Sequence, residues 1–501
     1  MTNKNTLLIV NSIYLFARLI ITLFISLYTS RVILSELGVE DFGIYNVVGG
    51  IVLALTFLTG AMSSSTQRFL SFELGKEFKD INKIFSASIN VYMFIILVVI
   101  IFSQTFGIWF VDSKLNIPLD KKIDTYWVYQ MSVLSFLMAI WSAPYNAVLI
   151  AYERMKAYAY IGVISIISKL LLVLILAFIP YNKLIWFSVL MLIQTFITLL
   201  LPILYCKIKI PDVKYRFLLN KELSIRLLSY SGWNLFGNLS AVGFNQGINV
   251  LINVFFGPSV NASRAISTQV NNAVLNFSSS LNTAINPQII KRYSNGELES
   301  MRELVLSSSR YCFLLLCLLG MPILFNTYEL IYIWLGNVPD YADVFTQLII
   351  IDSIVCGFSG PLMTSIQATG KIKHYQIVVG GILLLNVPIS YIILSFYHNP
   401  SLPYVVVISL SLLAFNARIL FTRKLSGIGF KIFYKEVVFR CITVVLASIV
   451  LIKITLSSME YGVIINLMIC TSFVLLPILL FGLSNKERRY IAILILSLRK
   501  K

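Results

Sequence analysis

Long apolar runs alternate with short polar breaks along the whole chain. Runs of about 20 apolar residues, long enough to cross a hydrocarbon core as a helix, cover 7–30, 42–62, 86–110, 126–150, 158–179, 184–205 and 230–256. They continue over 260–285, 310–334, 344–367, 375–397, 403–422, 437–456 and 461–482. The pattern predicts an all-α polytopic membrane protein with about fourteen transmembrane helices.

A weak internal repeat divides these spans. At an offset of about 220 residues, SELGVEDFGIYN after span one aligns with VFFGPSVNASRA after span seven, pairing Gly38 with Gly257. GKEFKDINKIFSAS then matches GELESMRELVLSSS, and AYERMKAYAYI (151–161) matches ATGKIKHYQIV (368–378). Six spans per repeat leave both halves running the same way, related by a pseudo-two-fold axis along the membrane normal with a substrate site between them. The expected organisation is a six-helix lobe over 1–210, a basic cytoplasmic linker over 211–228 and a second six-helix lobe over 229–423. An extra helix pair over 424–482 and a basic amphipathic tail over 483–501 follow. The linker also has the basic character of a surface-lying amphipathic helix.

Polar residues inside the spans point to the site. Asn234, Asn238, Asn245 and Asn249 fall within about 60° of one another on a helical wheel. Arg264, Ser267, Asn271, Ser278 and Asn282 form a second narrow stripe, and Asn11, Arg18, Thr22 and Thr29 a third. Lipid tails offer such groups no partners, so the stripes face protein or a water-filled cavity. Cavity lining is one reading and interhelical hydrogen bonding the other. A mid-membrane arginine is harder to explain as packing, because it costs roughly 2.5–3.5 kcal/mol even on the lenient insertion scale. Arg18 lies about halfway along span one, Arg264 opens span eight, and Lys169 and Arg418 also lie deep. Arg31 is near an outer end, where snorkelling explains it. Fixed cations at such depth imply an anionic substrate, and arginine suits phosphate or carboxylate. Asp352 is the deep carboxylate. It reads either as a coupling site for a proton or sodium ion or as the partner of an arginine in a structural ion pair.

Composition agrees. The 501 residues are 58% hydrophobic and 12% charged, against about 25% charged in soluble domains, and mean hydropathy is +0.85. A net charge of +18 does not point to nucleic acid, because the basic residues occupy short loops. With a cytoplasmic N-terminus, about 29 lysines and arginines fall on the cytoplasmic side and about 6 outside, which orients both termini inward. Six cysteines show neither a disulfide framework nor a metal spacing. No phosphate-binding loop appears, and the two histidines, His374 and His398, stand in loops away from any carboxylate pair. An enzyme is therefore not expected, nor a bound cofactor beyond a coupling ion.

Two stretches resemble a known family. The run TSRVILSELGVEDFGIYNVVGGI (29–51) is similar to the first hairpin of bacterial polysaccharide flippases, with its Arg, Leu-Gly and following Asp-Phe-Gly-Ile-Tyr. The run AYERMKAYAYIGVISIISK (151–169) resembles their loop between spans four and five. These flippases belong to the multidrug/oligosaccharidyl-lipid/polysaccharide exporter superfamily, whose lipid II flippase branch also has fourteen spans. The resemblance implies two six-helix lobes around a cationic cavity in the bacterial cytoplasmic (inner) membrane. It further implies alternating-access flipping of an undecaprenyl-diphosphate-linked oligosaccharide, such as an O-antigen repeat unit. Arg18 and Arg264 match the cavity arginines expected in the first and eighth helices. Partners would be that lipid-linked sugar, membrane lipids and other glycan-assembly proteins. The alternatives are a cation-coupled multidrug exporter of the same superfamily and a membrane-embedded glycan polymerase or ligase. The latter is disfavoured because the longest outer loop is 111–124.

Overall fold

The computed structural model describes residues 2–53, 56–76, 80–114, 121–216, 221–456, 462–483 and 487–488. Among these, all regular structure is helical: α1 Thr2–Leu53, α2 Thr56–Leu74, α3 Ile81–Phe102, α4 Ile108–Lys114, α5 Lys122–Ala151, α6 Met155–Leu176 and α7 Lys183–Lys209. Then come α8 Lys221–Ser294, α9 Leu298–Phe325, α10 Thr327–Leu335, α11 Ala342–Cys356, α12 Ser359–Thr369, α13 Lys373–Leu384 and α14 Asn386–Phe396. The last are α15 Leu402–Ser426, α16 Phe430–Phe433, α17 Phe439–Leu456 and α18 Val463–Pro477. Eleven stretches are long and apolar enough to cross a membrane, and the α11–α12 pair, bent by 41°, forms a twelfth as one broken span. The helical stretches after Gly38 and Gly257 are not among them, so eleven or twelve spans among the described residues stand against the fourteen or so expected. The chain is a multi-pass membrane protein. Nearly all of the expected basic tail, 483–501, lies outside the described residues.

The chain forms two compact units, Met1–Asn238 and Leu239–Lys501. Each contains one break of a long helix at a single glycine, although α8 itself begins within the first unit. Gly38 in α1 has φ 75° and ψ 174°, and Gly257 in α8 has φ 80° and ψ −175°. These are the two glycines that the sequence repeat pairs. Their backbone region is essentially closed to residues with a Cβ, so a run of good helix formers bends there and not elsewhere. Each bend has an apolar cluster beside it. In the first unit Ile33 and Leu37 pack with Val173, Leu176, Phe187, Leu190 and Met191, with Tyr45 against them. In the second, Phe244, Ile248 and Ile252 pack with Phe345, Tyr404, Val407 and Leu410, with Val260 alongside.

Polar contacts pin the first bend further. Glu36 pairs with Lys183 at 2.9 Å, and Asp41 with Lys121 at 2.8 Å. The acidic residues beside Gly38 thereby tie α1 to the starts of α7 and α5. The linker departs from the expected helix in its first part, while its last residues, 221–228, are helical as the start of α8. Residues 210–216 are not helical. Instead the Lys214 and Arg216 amides donate to Asn82 Oδ1 at 2.7 Å and Ser86 Oγ at 2.9 Å, and the Tyr215 hydroxyl donates to Asn90 Oδ1 at 3.1 Å. Polar side chains on α3 take up the backbone donors that a surface helix would have bonded internally.

The conformation at the second bend gives a stability test. Gly257→Ala is expected to destabilise the protein by roughly 1–3 kcal/mol, seen as a lower melting temperature in detergent. Gly381→Ala is the control, because Gly381 has a negative φ and open space around its Cα, so alanine there is expected to be neutral or stabilising.

Candidate functional site

In the first unit, α1 and α6 run against each other and hold Arg18 between them. The Arg18 guanidinium carbon lies 4.7 Å from the centre of the Tyr158 ring. Its side chain crosses Gly162, where an added Cβ would come within 2.6 Å of Arg18 Cδ. Tyr158 and Gly162 are one helical turn apart, so they present one surface to Arg18. Lys169 lies on the same stripe of α6, is half-buried, and has no hydrogen bond among the described residues. No described carboxylate pairs with Arg18. One turn toward the start of α1, Tyr14 meets Tyr160 with ring centres 6.3 Å apart, and Lys156 Nζ lies 5.9 Å from each ring.

The other stripe members of α1 have different surroundings. Asn11 is buried, and its Nδ2 has no hydrogen-bond partner among the described residues. Thr22 is half-buried, and Arg31 is exposed near the outer bend. Thr29 is bonded within its own helix, to the Ile25 carbonyl at 2.7 Å.

In the second unit Arg264 lies seven residues beyond Gly257. Its Nη2 donates to the Asn245 carbonyl at 2.6 Å, bridging the two arms of α8 across the bend. Its Nε is buried without a partner among the described residues. The Tyr404 hydroxyl, also buried and unpartnered there, is close enough to interact with Arg264 electrostatically. Arg264 thus has one donor committed to backbone and others uncommitted, beside an apolar cluster where charge is poorly screened.

The rest of that stripe is bonded inside the unit. Ser267 Oγ lies within hydrogen-bond distance of Thr346 Oγ1 at 3.0 Å and the Ala342 carbonyl at 3.1 Å on α11, as well as of the Ser263 carbonyl in its own helix at 2.9 Å. Asn271 Oδ1 accepts from Ser353 at 2.7 Å. Asn282 lies against Cys312 Sγ at 3.5 Å and over Gly360, and Ser278 is buried beside Cys312. These residues hold the second arm of α8 to α9, α11 and α12. On the first arm, Asn234 is buried and Asn238 half-buried near Gly60. Asn245 is exposed and bonds to the Ala241 carbonyl at 2.9 Å. Asn249 bonds to Gln246 at 3.4 Å.

Asp352 and Arg418 belong to one cluster at the α11–α12 bend. Arg418 Nη1 donates to Ser359 Oγ at 3.2 Å and its Nε to the Tyr375 hydroxyl at 3.4 Å. Asp352 interacts electrostatically with Arg418 and neighbours Ser411, which also accepts from Cys356 Sγ at 3.7 Å. Asp352 Oδ1 has no partner among the described residues. Arg418 therefore has a carboxylate within electrostatic reach as well as two hydrogen-bond acceptors, whereas no described carboxylate pairs with Arg18 or Arg264. No group of three or more metal-ligating side chains occurs among the described residues.

Sequence reasoning missed Tyr158, Gly162 and Tyr404. An aromatic residue and a glycine one turn apart on the helix packed against a mid-span arginine would have been the signal for the first two. Nothing in the sequence pairs Tyr404 with Arg264, because 140 positions separate them and only the fold joins them.

Comparison with known proteins places the fold. No protein-family model matches the chain. An uncharacterized membrane protein, EpsK of Bacillus subtilis, is 22% identical over 341 residues, covering 66% of this chain and 65% of that protein. The match therefore spans less than two thirds of that relative's length. Among solved structures, a MATE transporter in the bent conformation superposes with a TM-score of 0.73 at 12% identity, over 85% of this chain and 96% of that one. The Vibrio cholerae MATE transporter VcmN, in its bent form, gives 0.68 at 13% identity over 84% and 98%. A transporter of the MOP superfamily from Pyrococcus furiosus, whose binding pocket is described as having reverse polarity suggesting a different function, gives 0.62 at 13% identity over 83% and 96%. The chain has the fold of MATE transporters.

The bonded stripe makes a prediction. Asn271→Ala leaves Ser353 without its acceptor, which costs about 1–3 kcal/mol in a buried setting. The melting temperature is expected to fall while transport per folded molecule is unchanged. Lost transport at an unaltered melting temperature would instead make Asn271 a lining residue.

Proposed function

We propose that this protein flips an undecaprenyl-diphosphate-linked oligosaccharide, of the O-antigen repeat-unit type, from the cytoplasmic to the outer leaflet of the bacterial inner membrane by alternating access. The observation that carries this reading is that each unit holds a span-depth arginine with no described carboxylate partner: Arg18 on Tyr158 and Arg264 with an uncommitted Nε. A guanidinium keeps its charge in any protein setting, so each attracts a phosphoryl group and leaves edge donors to bind it. Lys169, and Arg31 at the outer end of span one, extend the cationic character. The sequence resemblance to polysaccharide flippases supports the same substrate class. The fold accommodates binding pockets of more than one polarity, as the described P. furiosus transporter illustrates.

Arg18→Ala and Arg264→Ala are each expected to abolish surface polysaccharide in the native strain at normal protein level. Single lipid-linked repeat units should accumulate on the cytoplasmic side. Full surface polysaccharide in both variants would refute the assignment. Lipid-linked units that reach the outer face without being extended would indicate a polymerase instead.

One observation favours a second reading, a cation-coupled drug exporter. Asp352 is a deep carboxylate with an uncommitted oxygen, suited to a proton or sodium ion. In the flippase reading it would couple transport to an ion gradient. Deleting the gene is expected to leave drug susceptibility unchanged across a panel of cationic compounds. Hypersensitivity that Asp352→Asn fails to complement would favour the exporter.

A further inference from the structure

The surroundings of Arg18 explain how a charge at membrane depth is held without being neutralised. A guanidinium has two kinds of surface. Its edge carries five N–H donors, and its faces carry none. A carboxylate partner binds the edge and occupies two of those donors. An aromatic ring binds a face and leaves the edge open. Arg18 has the ring and not the carboxylate: its guanidinium carbon sits over the Tyr158 ring, 4.7 Å from the centre, and no described carboxylate pairs with it.

Gly162 completes the seat. An added Cβ there would stand 2.6 Å from Arg18 Cδ and 3.4 Å from both Cγ and Nη1. Two unbonded carbons do not approach to 2.6 Å, so the Arg18 side chain can lie along α6 only because position 162 has no side chain. Tyr158 and Gly162, four residues apart, form one shelf: a ring under the charged head and a groove under the aliphatic stem.

Resting on the flippase reading, we propose that Tyr158 and Gly162 are positioning residues that orient the Arg18 guanidinium, face to the protein and edge toward the diphosphate of the substrate. They act through Arg18 and need not touch the substrate. The shelf stabilises the cation while leaving its donors available, so affinity for a phosphoryl group depends on the ring and the groove as well as on the arginine.

The test uses the full-length protein purified in detergent, with undecaprenyl diphosphate as the probe and thermal unfolding followed in parallel. A cation–π contact of this kind is worth about 0.5–2 kcal/mol, so Tyr158→Leu is expected to weaken binding roughly 2- to 30-fold. Tyr158→Phe keeps the ring and is expected to bind like the unaltered protein. Gly162→Ala keeps both ring and charge but lifts the arginine stem, and is expected to weaken binding without a matching loss of melting temperature. Should Tyr158→Leu fail to fold, Gly162→Ala and Tyr158→Phe still decide the matter. If Arg18→Ala loses binding while Tyr158→Leu and Gly162→Ala bind normally, the shelf is refuted and the functional reading stands. Equal losses in Tyr158→Phe and Tyr158→Leu would also refute it, because the hydroxyl and not the ring face would then be responsible. If Arg18→Ala itself binds undecaprenyl diphosphate normally, the functional reading fails first.

Discussion

An arginine at membrane depth cannot discharge itself. Lysine and the carboxylates escape burial by changing protonation state, whereas guanidinium remains a cation. The protein must therefore stabilise it by pairing, by hydrogen bonding to neutral groups or by contact with water. Each choice leaves a different residual chemistry. Arg418 takes up Ser359 and Tyr375 as acceptors and has Asp352 within electrostatic reach, which leaves little attraction for a ligand. Arg264 has one donor on a backbone carbonyl and another uncommitted. Arg18 sits over a ring and crosses a glycine, and no described carboxylate takes up its donors. The three cations look alike in sequence and differ in what they can do.

The uncharged polar residues divide in a similar way. Ser267, Asn271 and Thr346 are nearly or fully buried, and hydrogen bonds fix the second arm of α8 to α11. Such bonds are worth about 0.6 kcal/mol each on average in membrane bundles. Their value lies in direction, since they specify which helix faces which where all hydrocarbon surfaces look the same. The two bends belong to the same logic. Gly38 and Gly257 set where each long helix turns. In the first unit the Glu36–Lys183 and Asp41–Lys121 pairs hold the turn. In the second, Arg264 reaches across it to Asn245. A side chain read as a binding group thus also shapes the unit that presents it.

Much of the fold was legible because lipid imposes a simple rule on sequence. Backbone groups must be satisfied within the segment, so apolar runs of membrane length become helices. The pairing of Gly38 with Gly257 was visible in a weak repeat, and both residues adopt one backbone conformation. The site was less legible. Helical periodicity shows which residues share a face, but not what that face meets. Hence the stripe through Ser267, Asn271 and Asn282 was identified as a stripe, while its hydrogen-bond partners on α9 and α11 lay out of view. The linker at 210–216 escaped for a related reason. Its basic, mixed composition fits a surface helix, yet Asn82, Ser86 and Asn90 on α3 offer its backbone and Tyr215 specific partners that no local pattern reveals.

The sign of the uncommitted charge also bears on the substrate. At an effective dielectric constant near 20, a single positive charge about 8 Å from a guanidinium is repelled by about 2 kcal/mol. That lowers its occupancy roughly 30-fold. A diphosphate at the same distance is attracted by at least as much, and closer approach adds charge-assisted hydrogen bonds. A carboxylate at Arg18 would cancel both effects, and the described surroundings of that residue hold an aromatic ring in its place. If Arg18 and Arg264 line the substrate path, as proposed above, an exporter of cationic drugs would have to work against them at every turnover. A carrier of phosphoryl-linked sugars would use them.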